Sequence, residues 1–357
     1  MTEAGAVNAR FSGVKPVDER NRFDEAALEQ WLAVNLDGWR GPLQVSQFKG
    51  GQSNPTYRLD SPSGAYVLRR KPFGPLLPSA HAVDREFRVI SALHGAGFPV
   101  ARPHVLCEDD GVIGAAFYVM DMVEGRVFWE AALPGVATTA RTEVFNAAID
   151  TLAQLHNLRP DTIGLGDYGK PGNYFARQVG RWTRQYRDAE TERIEAVERL
   201  IDWLPRTVPA QDRESIVHGD FRLDNVIFHP TENRILAVLD WELSTLGDPL
   251  ADFSYFLMNW AMPADGRNSL DGLDLAALGI PSIEAVVERY CQATGRDGAP
   301  DLNWYFAYNL FRLAGILQGV KKRALDGNAS SAHAVEMGAR VGPLAATAWS
   351  FAEKAGA

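Results

Sequence analysis

Eight residues, HGDFRLDN at positions 218–225, bring together a histidine, two aspartates and an asparagine. A further acid, Asp240, follows in the stretch AVLDWE. Between them, the apolar runs VIF (226–228) and ILAVL (235–239) flank the polar segment HPTENR, a pattern that predicts a β-hairpin. Because a hairpin brings its two open ends together, we expect Asn225 and Asp240 to lie side by side.

These residue types suit metal-assisted phosphoryl transfer. Asn225 and Asp240 offer hard oxygen ligands, which Mg²⁺ accepts when phosphates and water complete its coordination shell. Asp220 lies shortly before Asn225, in a loop, and its carboxylate could accept a proton from a substrate hydroxyl. Alone, Asp and Asn are common turn residues. Their combination with the predicted hairpin favours a catalytic site.

The elements that must position these residues differ between the two parts of the chain. Residues 1–22 indicate a loose polar tail, and FDEAALEQWLAVNL (23–36) an amphipathic helix. Short alternating runs then indicate antiparallel strands, interrupted by one helix in SAHAVDREFRVISALHGAG. From about residue 125 the periodicity is mainly helical. We therefore predict an α+β chain with a strand-rich part at 1–119, a short connection at 120–124 and a helix-rich part at 125–357, which also contains the predicted hairpin.

Composition narrows the classes of function. The 357 residues carry a formal net charge of -9, so nucleic acid is not an expected partner. No apolar run is long enough for a membrane span or a signal peptide, and the two cysteines have no metal-like spacing. We expect a soluble cytoplasmic protein, with no membrane partner and an oligomeric state left open.

The pattern H-G-D-x-x-x-x-N followed by a hydrophobic residue and Asp resembles the protein-kinase pattern H-R-D-x-x-x-x-N and D-F-G. VHGDFRLDNVIF…VLDWELSTLGDPLADFSY is similar to the aminoglycoside phosphotransferase family, which also covers choline- and homoserine-kinase-like enzymes. GGQSNPTYRL, YVLRRKP, NYFARQVGRWTRQY and LFRLAGILQGV resemble, within that family, the phosphotransferase domains associated with acyl-CoA dehydrogenases. The resemblance implies a protein-kinase-like two-lobed fold, with an antiparallel five-stranded N-lobe and a mainly helical C-lobe. It makes residues 1–119 the nucleotide-binding lobe, 120–124 the hinge, and 125–357 the helical lobe with the catalytic and metal loops and the substrate site.

The resemblance also implies roles for individual residues. Asp220 is the implied catalytic base, and Asn225 and Asp240 are the implied Mg²⁺ ligands. A loop with short side chains would let backbone N–H groups approach the nucleotide phosphates. This loop comprises Gly50, Gly51, Gln52, Ser53 and Asn54.

In YVLRRKP, alternation along a strand turns Val67 and Arg69 toward the nucleotide. Arg69 stands where most kinases have a lysine; Lys71, on the same face, is the alternative, and whether Arg69 fully replaces lysine is open. Glu86 on the following helix would pair with Arg69. The resemblance places the hinge that meets the adenine at Met120, Asp121 and Met122.

The implied activity is transfer of the γ-phosphoryl group of ATP, with Mg²⁺, to a hydroxyl of a small molecule, such as a hydroxyacyl-CoA. An aminoglycoside or other small-alcohol kinase, a nucleotide-binding module without catalysis, and GTP in place of ATP all remain alternatives. Four residues are weak candidates for contact with an anionic substrate: Arg177, Arg181, Trp182 and Arg312.

Overall fold

The computed structural model describes residues 13–49, 54–74, 81–263, 268–326 and 332–357. The chain folds into two units. The first comprises Met1–Thr151, Asp161–Gly166 and Arg222–Ser244, and the second comprises Leu152–Pro160, Asp167–Phe221 and Thr245–Ala357. The residues around Asn225 and Asp240 thus belong to the strand-rich unit. The hinge at 120–124 and the lobe boundaries stay predictions.

An antiparallel sheet forms the centre of the first unit. Its strands are β1 (Val14–Lys15), β2 (Gln44–Phe48), β3 (Thr56–Ser61), β4 (Gly64–Arg70), β5 (Pro103–Cys107) and β6 (Phe117–Asp121), in the order β1-β2-β3-β4-β6-β5. The five expected strands are present, and β1 is an addition. It lies in the segment expected to be a loose tail, so that expectation is wrong for Val14–Lys15. The strand is held because Val14 pairs with Phe48 and the Asp18 N–H donates to Gln47 Oε1 at 2.9 Å.

Helices α1 (Glu25–Asn35) and α2 (Val83–Gly95) complete this sheet region. The Asp24 side chain accepts the Ala27 N–H at 2.9 Å and caps α1. Helix α1 buries Leu28 and Leu32 in a core cluster that includes Leu68 of β4. Since side chains alternate across a strand, this packing of one face directs Val67 and Arg69 to the opposite face.

The predicted hairpin is confirmed in the first unit. Strands β8 (Val226–Phe228) and β9 (Ile235–Val238) pair antiparallel, with Val226 opposite Val238. The Leu239 N–H donates to the Asn225 carbonyl oxygen at 2.8 Å, so the ladder continues to the hairpin's open end. The sequence pattern therefore predicted the hairpin and its turn, whereas the shift in register between Ile227 and Phe228 was not predicted.

The second unit is mainly helical, as expected. It contains the short antiparallel pair β7 (Ser215–Val217) and β10 (Thr245–Gly247). Helix α3 (Thr138–Asn157) supplies residues to both units. The remaining helices are α4 (Tyr174–Ala189), α5 (Glu195–Trp203), α6 (Leu250–Ala261), α7 (Leu275–Leu278), α8 (Ile283–Thr294), α9 (Asn303–Leu325), α10 (Ala332–Ala339) and α11 (Val341–Lys354).

Long helix α9 forms the core of this unit. Its aromatic side chains Trp304, Tyr305 and Tyr308 surround Phe175 of α4 with ring-centroid distances of 5.2–5.3 Å and edge-on geometry. Mid-helix polar residues such as Asn309 and Arg312 are also buried. Because the helix is buried on this many sides, the position of Arg312, which hydrogen-bonds to the Gly219 carbonyl, is fixed by packing.

Three helices, α7, α10 and α11, were not predicted individually. Among the helices in the described parts of the chain, none is long and apolar enough to cross a membrane.

Candidate active site

A cavity of about 260 Å³ opens on the face of the first unit's sheet that carries Val67 and Arg69. One part of its wall is apolar, and another carries Arg69, Asn225 and Asp240. The apolar lining includes Val67, Ile90, Val100, Ala101, Met120, Ile227 and Leu239. An apolar chamber with a few polar groups is the usual character of a small-ligand site.

Arg69 is the central charge of this cavity. Its Nε lies 2.8 Å from Glu86 Oε2, and its Nη2 lies 2.7 Å from Asp240 Oδ1 and 3.5 Å from Glu242 Oε2. The side chain is 11% exposed. Burial alone would lower the pKa of Arg69, but the neighbouring carboxylates outweigh burial and raise it, so the guanidinium stays charged. The predicted pairing of Arg69 with Glu86 is present.

Glu86 is held by more than this ion pair. Asn54 Nδ2 donates to Glu86 Oε1 at 2.9 Å, and the Tyr118 hydroxyl donates to Oε2 at 3.0 Å. Asn54 Oδ1 lies 2.9 Å from His81 Nδ1. Glu86 is buried, and a buried carboxylate needs such partners. Asn54 thus braces Glu86, a role that differs from the expected phosphate loop. The other expected loop residues, Gly50, Gly51, Gln52 and Ser53, lie outside the described residues.

The hairpin brings Asn225 and Asp240 to the same cavity wall. Asp240 directly follows the ladder and has left-handed backbone angles of φ 66° and ψ 64°. This conformation is uncommon for a residue other than glycine, although aspartate tolerates it better than most. The amide and the carboxylate form a pair of hard oxygen donors, which fits Mg²⁺ when phosphates and water supply its other ligands.

The expected hinge residues end β6 and border the cavity. The Asp121 N–H donates to the Arg102 carbonyl at 2.9 Å, and the Met122 N–H donates to the Ala65 carbonyl at 3.3 Å. Both N–H groups are therefore engaged within the protein. The Asp121 carboxylate also lies 2.6 Å from His104 Nε2. Met120 contributes its side chain to the lining, whereas adenine recognition by the Asp121 and Met122 N–H groups would require these bonds to open.

Asp220 belongs to the second unit, in a loop whose backbone is fixed from several directions. The His218 and Gly219 N–H groups donate to the Asp252 carboxylate at 2.5 and 2.8 Å. The Asp220 N–H donates to His218 Nδ1 at 3.1 Å. Arg312 Nη2 donates to the Gly219 carbonyl at 2.6 Å. We refer to residues 218–220 as the HGD loop. These bonds engage backbone groups of all three residues up to and including the Asp220 N–H, which is the kind of support that catalytic positioning requires.

Arg312 was considered a possible substrate contact, and its surroundings differ from that expectation. The residue is buried, and its guanidinium lies over the rings of Trp182 and Tyr255, with centroid distances of 5.5 and 5.0 Å. Its hydrogen bond goes to the HGD loop. These contacts describe a residue that positions the loop.

Two other candidate substrate residues also have structural partners. Arg177 donates to the backbone carbonyls of Lys170, Pro171 and Gly172, so it fixes the loop before α4. Trp182 is buried beneath Arg312, whereas Arg181 is exposed on α4 with its guanidinium 5.5 Å from the Trp182 ring. Of the four, the exposed Arg181 keeps the placement expected for contact with a solute.

Three further residues at these sites were missed by reasoning from the sequence. Glu242 contacts Arg69, Tyr118 holds Glu86, and Asp252 fixes the HGD loop. Glu242 had a signal, because it lies two residues after Asp240. Asp252 is a buried carboxylate in the apolar run LADFSYFLM, and an acid in such a run must have buried partners.

The geometry and the fold define a class of protein. The predicted kinase-like α+β fold is confirmed by solved phosphotransferases. A mutant of aminoglycoside phosphotransferase APH(4)-Ia, in ternary complex with ADP and hygromycin B, has a TM-score of 0.59 over 91% of this chain and 98% of that one. At 15% identity this likeness concerns the fold alone.

Residues 44–305 of this chain match the sequence model of the family described as "Phosphotransferase enzyme family" (APH). This chain therefore belongs to the APH family of phosphotransferases. A Ralstonia eutropha structure, described provisionally as an aminoglycoside phosphotransferase, is 51% identical with a TM-score of 0.86, covering 93% of this chain and 99% of that one.

Curated relatives are longer proteins. Acyl-CoA dehydrogenase family member 10 of Mus musculus is 45% identical over 96% of this chain and 32% of the relative. Acyl-CoA dehydrogenase family member 11 of Gallus gallus is 46% identical over 93% of this chain and 44% of the relative. The chain thus spans less than half of the length of these relatives, and the resemblance seen in the sequence to domains associated with acyl-CoA dehydrogenases is confirmed.

Proposed function

We propose that this protein transfers the γ-phosphoryl group of ATP to the hydroxyl of a small molecule, with Asp220 as the base. The observation that carries the proposal is the Arg69 cluster, in which one buried guanidinium contacts both Glu86 and Asp240 beside an apolar cavity. Phosphoryl transfer depends on such positioned charge, because the transition state spreads negative charge over the phosphoryl oxygens.

The first unit would bind the nucleotide. The apolar walls at Val67, Met120 and Leu239 suit a nucleobase, and Arg69 would hold the phosphates by bidentate contact. Asn225 and Asp240 would hold Mg²⁺, which supplies charge neutralisation at the phosphates when it is bound. We propose ATP rather than GTP as the phosphoryl donor. A binding experiment in which the two nucleotides compete would distinguish them.

In the second unit, Asp220 would accept the proton of the acceptor hydroxyl. This role needs a carboxylate at a fixed position. Asp252, His218 and Arg312 support that position, because their hydrogen bonds fix the Gly219 backbone and the Asp220 N–H. His218 itself is fully buried and serves the loop's geometry.

We further propose a hydroxyacyl-CoA as the acceptor. The support is the similarity to two proteins named as acyl-CoA dehydrogenase family members, whose longer chains include a region like this one. The second candidate is an aminoglycoside, favoured by the description of the Ralstonia eutropha structure. The proposed enzyme works in the cytoplasm, where Mg·ATP is available, with the acceptor as its small-molecule partner.

The test is Mg·ATP-dependent ADP release with a hydroxyacyl-CoA panel, kanamycin and a metabolite extract. Asp220→Asn should lower kcat by about 10²- to 10⁴-fold, because it removes the proton acceptor but keeps the backbone N–H that donates to His218. Asp202→Asn is the control, since Asp202 is exposed and pairs with Arg206 on the surface.

The outcomes separate the alternatives. Release that depends on Asp220 and on an acyl-CoA supports the whole proposal, and mass spectrometry identifies the phosphorylated product. A much faster reaction with kanamycin than with any acyl-CoA would show that the acceptor is an aminoglycoside. Binding of ATP with no ADP release from any acceptor, in wild type as in the variant, would contradict catalysis and favour a nucleotide-binding module.

A further inference from the structure

The cluster around Arg69 carries more acid than base. One guanidinium contacts three carboxylates, those of Glu86, Asp240 and Glu242, which leaves a formal surplus of two negative charges in this group. The shortest of the three contacts, 2.7 Å, is with Asp240, the proposed metal ligand. Arg69 therefore occupies the same carboxylate that a metal ion would use.

We propose that Arg69 is the counter-ion of Asp240 when no nucleotide is bound and competes with divalent metal for that carboxylate. Metal then enters together with the nucleotide, whose phosphates draw the guanidinium away from Asp240. The inference rests on the proposed function in one respect, namely that Asp240 is a metal ligand. It adds an order of binding and a residue that enforces it.

Arginine suits this role better than the lysine common in kinases. Its planar fork offers several nitrogens: Nε lies 2.8 Å from Glu86 Oε2, and Nη2 lies 2.7 Å from Asp240 Oδ1 and 3.4 Å from Glu86 Oε1. A lysine would have to bring both carboxylates to a single nitrogen. When Nη2 leaves Asp240 for a phosphate oxygen, the contact between Nε and Glu86 can persist. Glu86 is in turn fixed by Asn54 and Tyr118, so the guanidinium can move between two partners about a fixed pivot.

The inference predicts opposite effects of one substitution on two ligands. Arg69→Met removes the competitor, so Mn²⁺ should bind the nucleotide-free protein about ten- to a hundredfold more tightly, the range that corresponds to one charge-assisted hydrogen bond. The same variant should bind Mn·ADP more weakly, because a phosphate contact is lost. A residue that only stabilised the fold would not strengthen any metal binding.

The experiment measures free Mn²⁺ by electron paramagnetic resonance during titration of the full chain, with and without ADP. Thermal melting of each variant confirms that it is folded. Arg58→Met is the matched control, because Arg58 lies on strand β3 of the same sheet and pairs with Asp60 at 2.9 Å, outside the lining of the cavity. It should leave both affinities unchanged. Asp240→Asn reports on the metal site itself and should weaken Mn·ADP binding.

Each outcome decides one point. If folded Arg69→Met binds Mn²⁺ no more tightly than wild type, while Asp240→Asn loses Mn·ADP binding, the competition is refuted and the proposed function stands. If Asp240→Asn changes neither titration, the proposed metal site is itself wrong. Should Arg69→Met not fold, Glu86→Gln replaces it. In that variant Arg69 loses its charged partner Glu86 and keeps only Asp240 and Glu242. The nucleotide-free protein should then bind Mn²⁺ more weakly, and an unchanged or tighter affinity for Mn²⁺ would overturn the inference.

Discussion

Replacing Arg312 by methionine tests how the HGD loop is held. Arg312 donates one hydrogen bond of 2.6 Å to the Gly219 carbonyl and lies over the rings of Trp182 and Tyr255. Methionine keeps much of the packing volume but removes the donor and the charge. Loss of a charge-assisted hydrogen bond costs about 1.5–3 kcal/mol, and removal of the buried charge offsets part of any loss from the aromatic contacts.

We therefore expect the loop to open more easily by about 2 kcal/mol, which corresponds to roughly 30-fold faster amide exchange. Hydrogen exchange with mass spectrometry, on peptides that cover residues 216–223, measures this directly. The turnover number should fall while the KM for ATP stays the same, because the cavity proposed to bind the nucleotide is lined by residues of the first unit. Arg312→Lys retains a donor and should restore part of the protection.

The matched control is Arg206→Met, which removes an exposed arginine paired with Asp202 in the same unit. It should leave exchange of residues 216–223 unchanged. The reasoning fails if folded Arg312→Met shows wild-type protection of these peptides. It also fails if exchange accelerates equally throughout the second unit, since that pattern indicates general loss of stability.

Two further substitutions test other parts of the structure. Gly125→Ala should cost about 1–3 kcal/mol of stability, because the added Cβ would overlap the Phe228 carbonyl oxygen. The Cβ would also press on Ile227 in the cavity wall and so raise the KM for ATP. Urea unfolding measures the stability and ATP titration the KM, and unchanged stability would contradict the prediction. Burial raises the pKa of Asp248 from 3.8 to about 6 in the folded protein, so ionising it costs folding free energy. The cost is absent below about pH 4, grows as the pH rises toward 6, and reaches about 3 kcal/mol above that. Asp248→Asn, which can still accept the Leu250 N–H, should thus stabilise the protein at pH 8 and have little effect at pH 4; urea unfolding at both pH values checks this, and an equal effect at both would refute it.

Local patterns predicted the parts of the site that depend on short-range geometry. The paired strands around HPTENR bring Asn225 and Asp240 to one wall because a hairpin's register follows from its turn and its apolar faces. Alternation along YVLRR separated Val67 and Arg69 from the core residues Tyr66 and Leu68 for the same reason. These features need only a few residues of context.

Contacts distant in sequence could not be predicted in the same way. The partner of Arg312 proved to be a backbone carbonyl 93 residues earlier. The sequence did not indicate which way the Arg312 side chain points, since residues on all sides of α9 are buried. Asp252 was missed in the same way, because the His218 and Gly219 N–H groups that it accepts lie 34 and 33 residues earlier in the chain.

The sequence by itself determined the family, the kinase-like class of fold and the hairpin that joins Asn225 to Asp240, because each depends on residue types at short, regular spacing. The pairing of Arg69 with Glu86 was expected from the family resemblance. Only the tertiary structure showed that Arg69 also contacts Asp240, 171 residues away, and that Asp252 reaches the HGD loop from helix α6. Such pairings are set by the packing of whole elements, and a buried charge must adopt whichever partners that packing supplies.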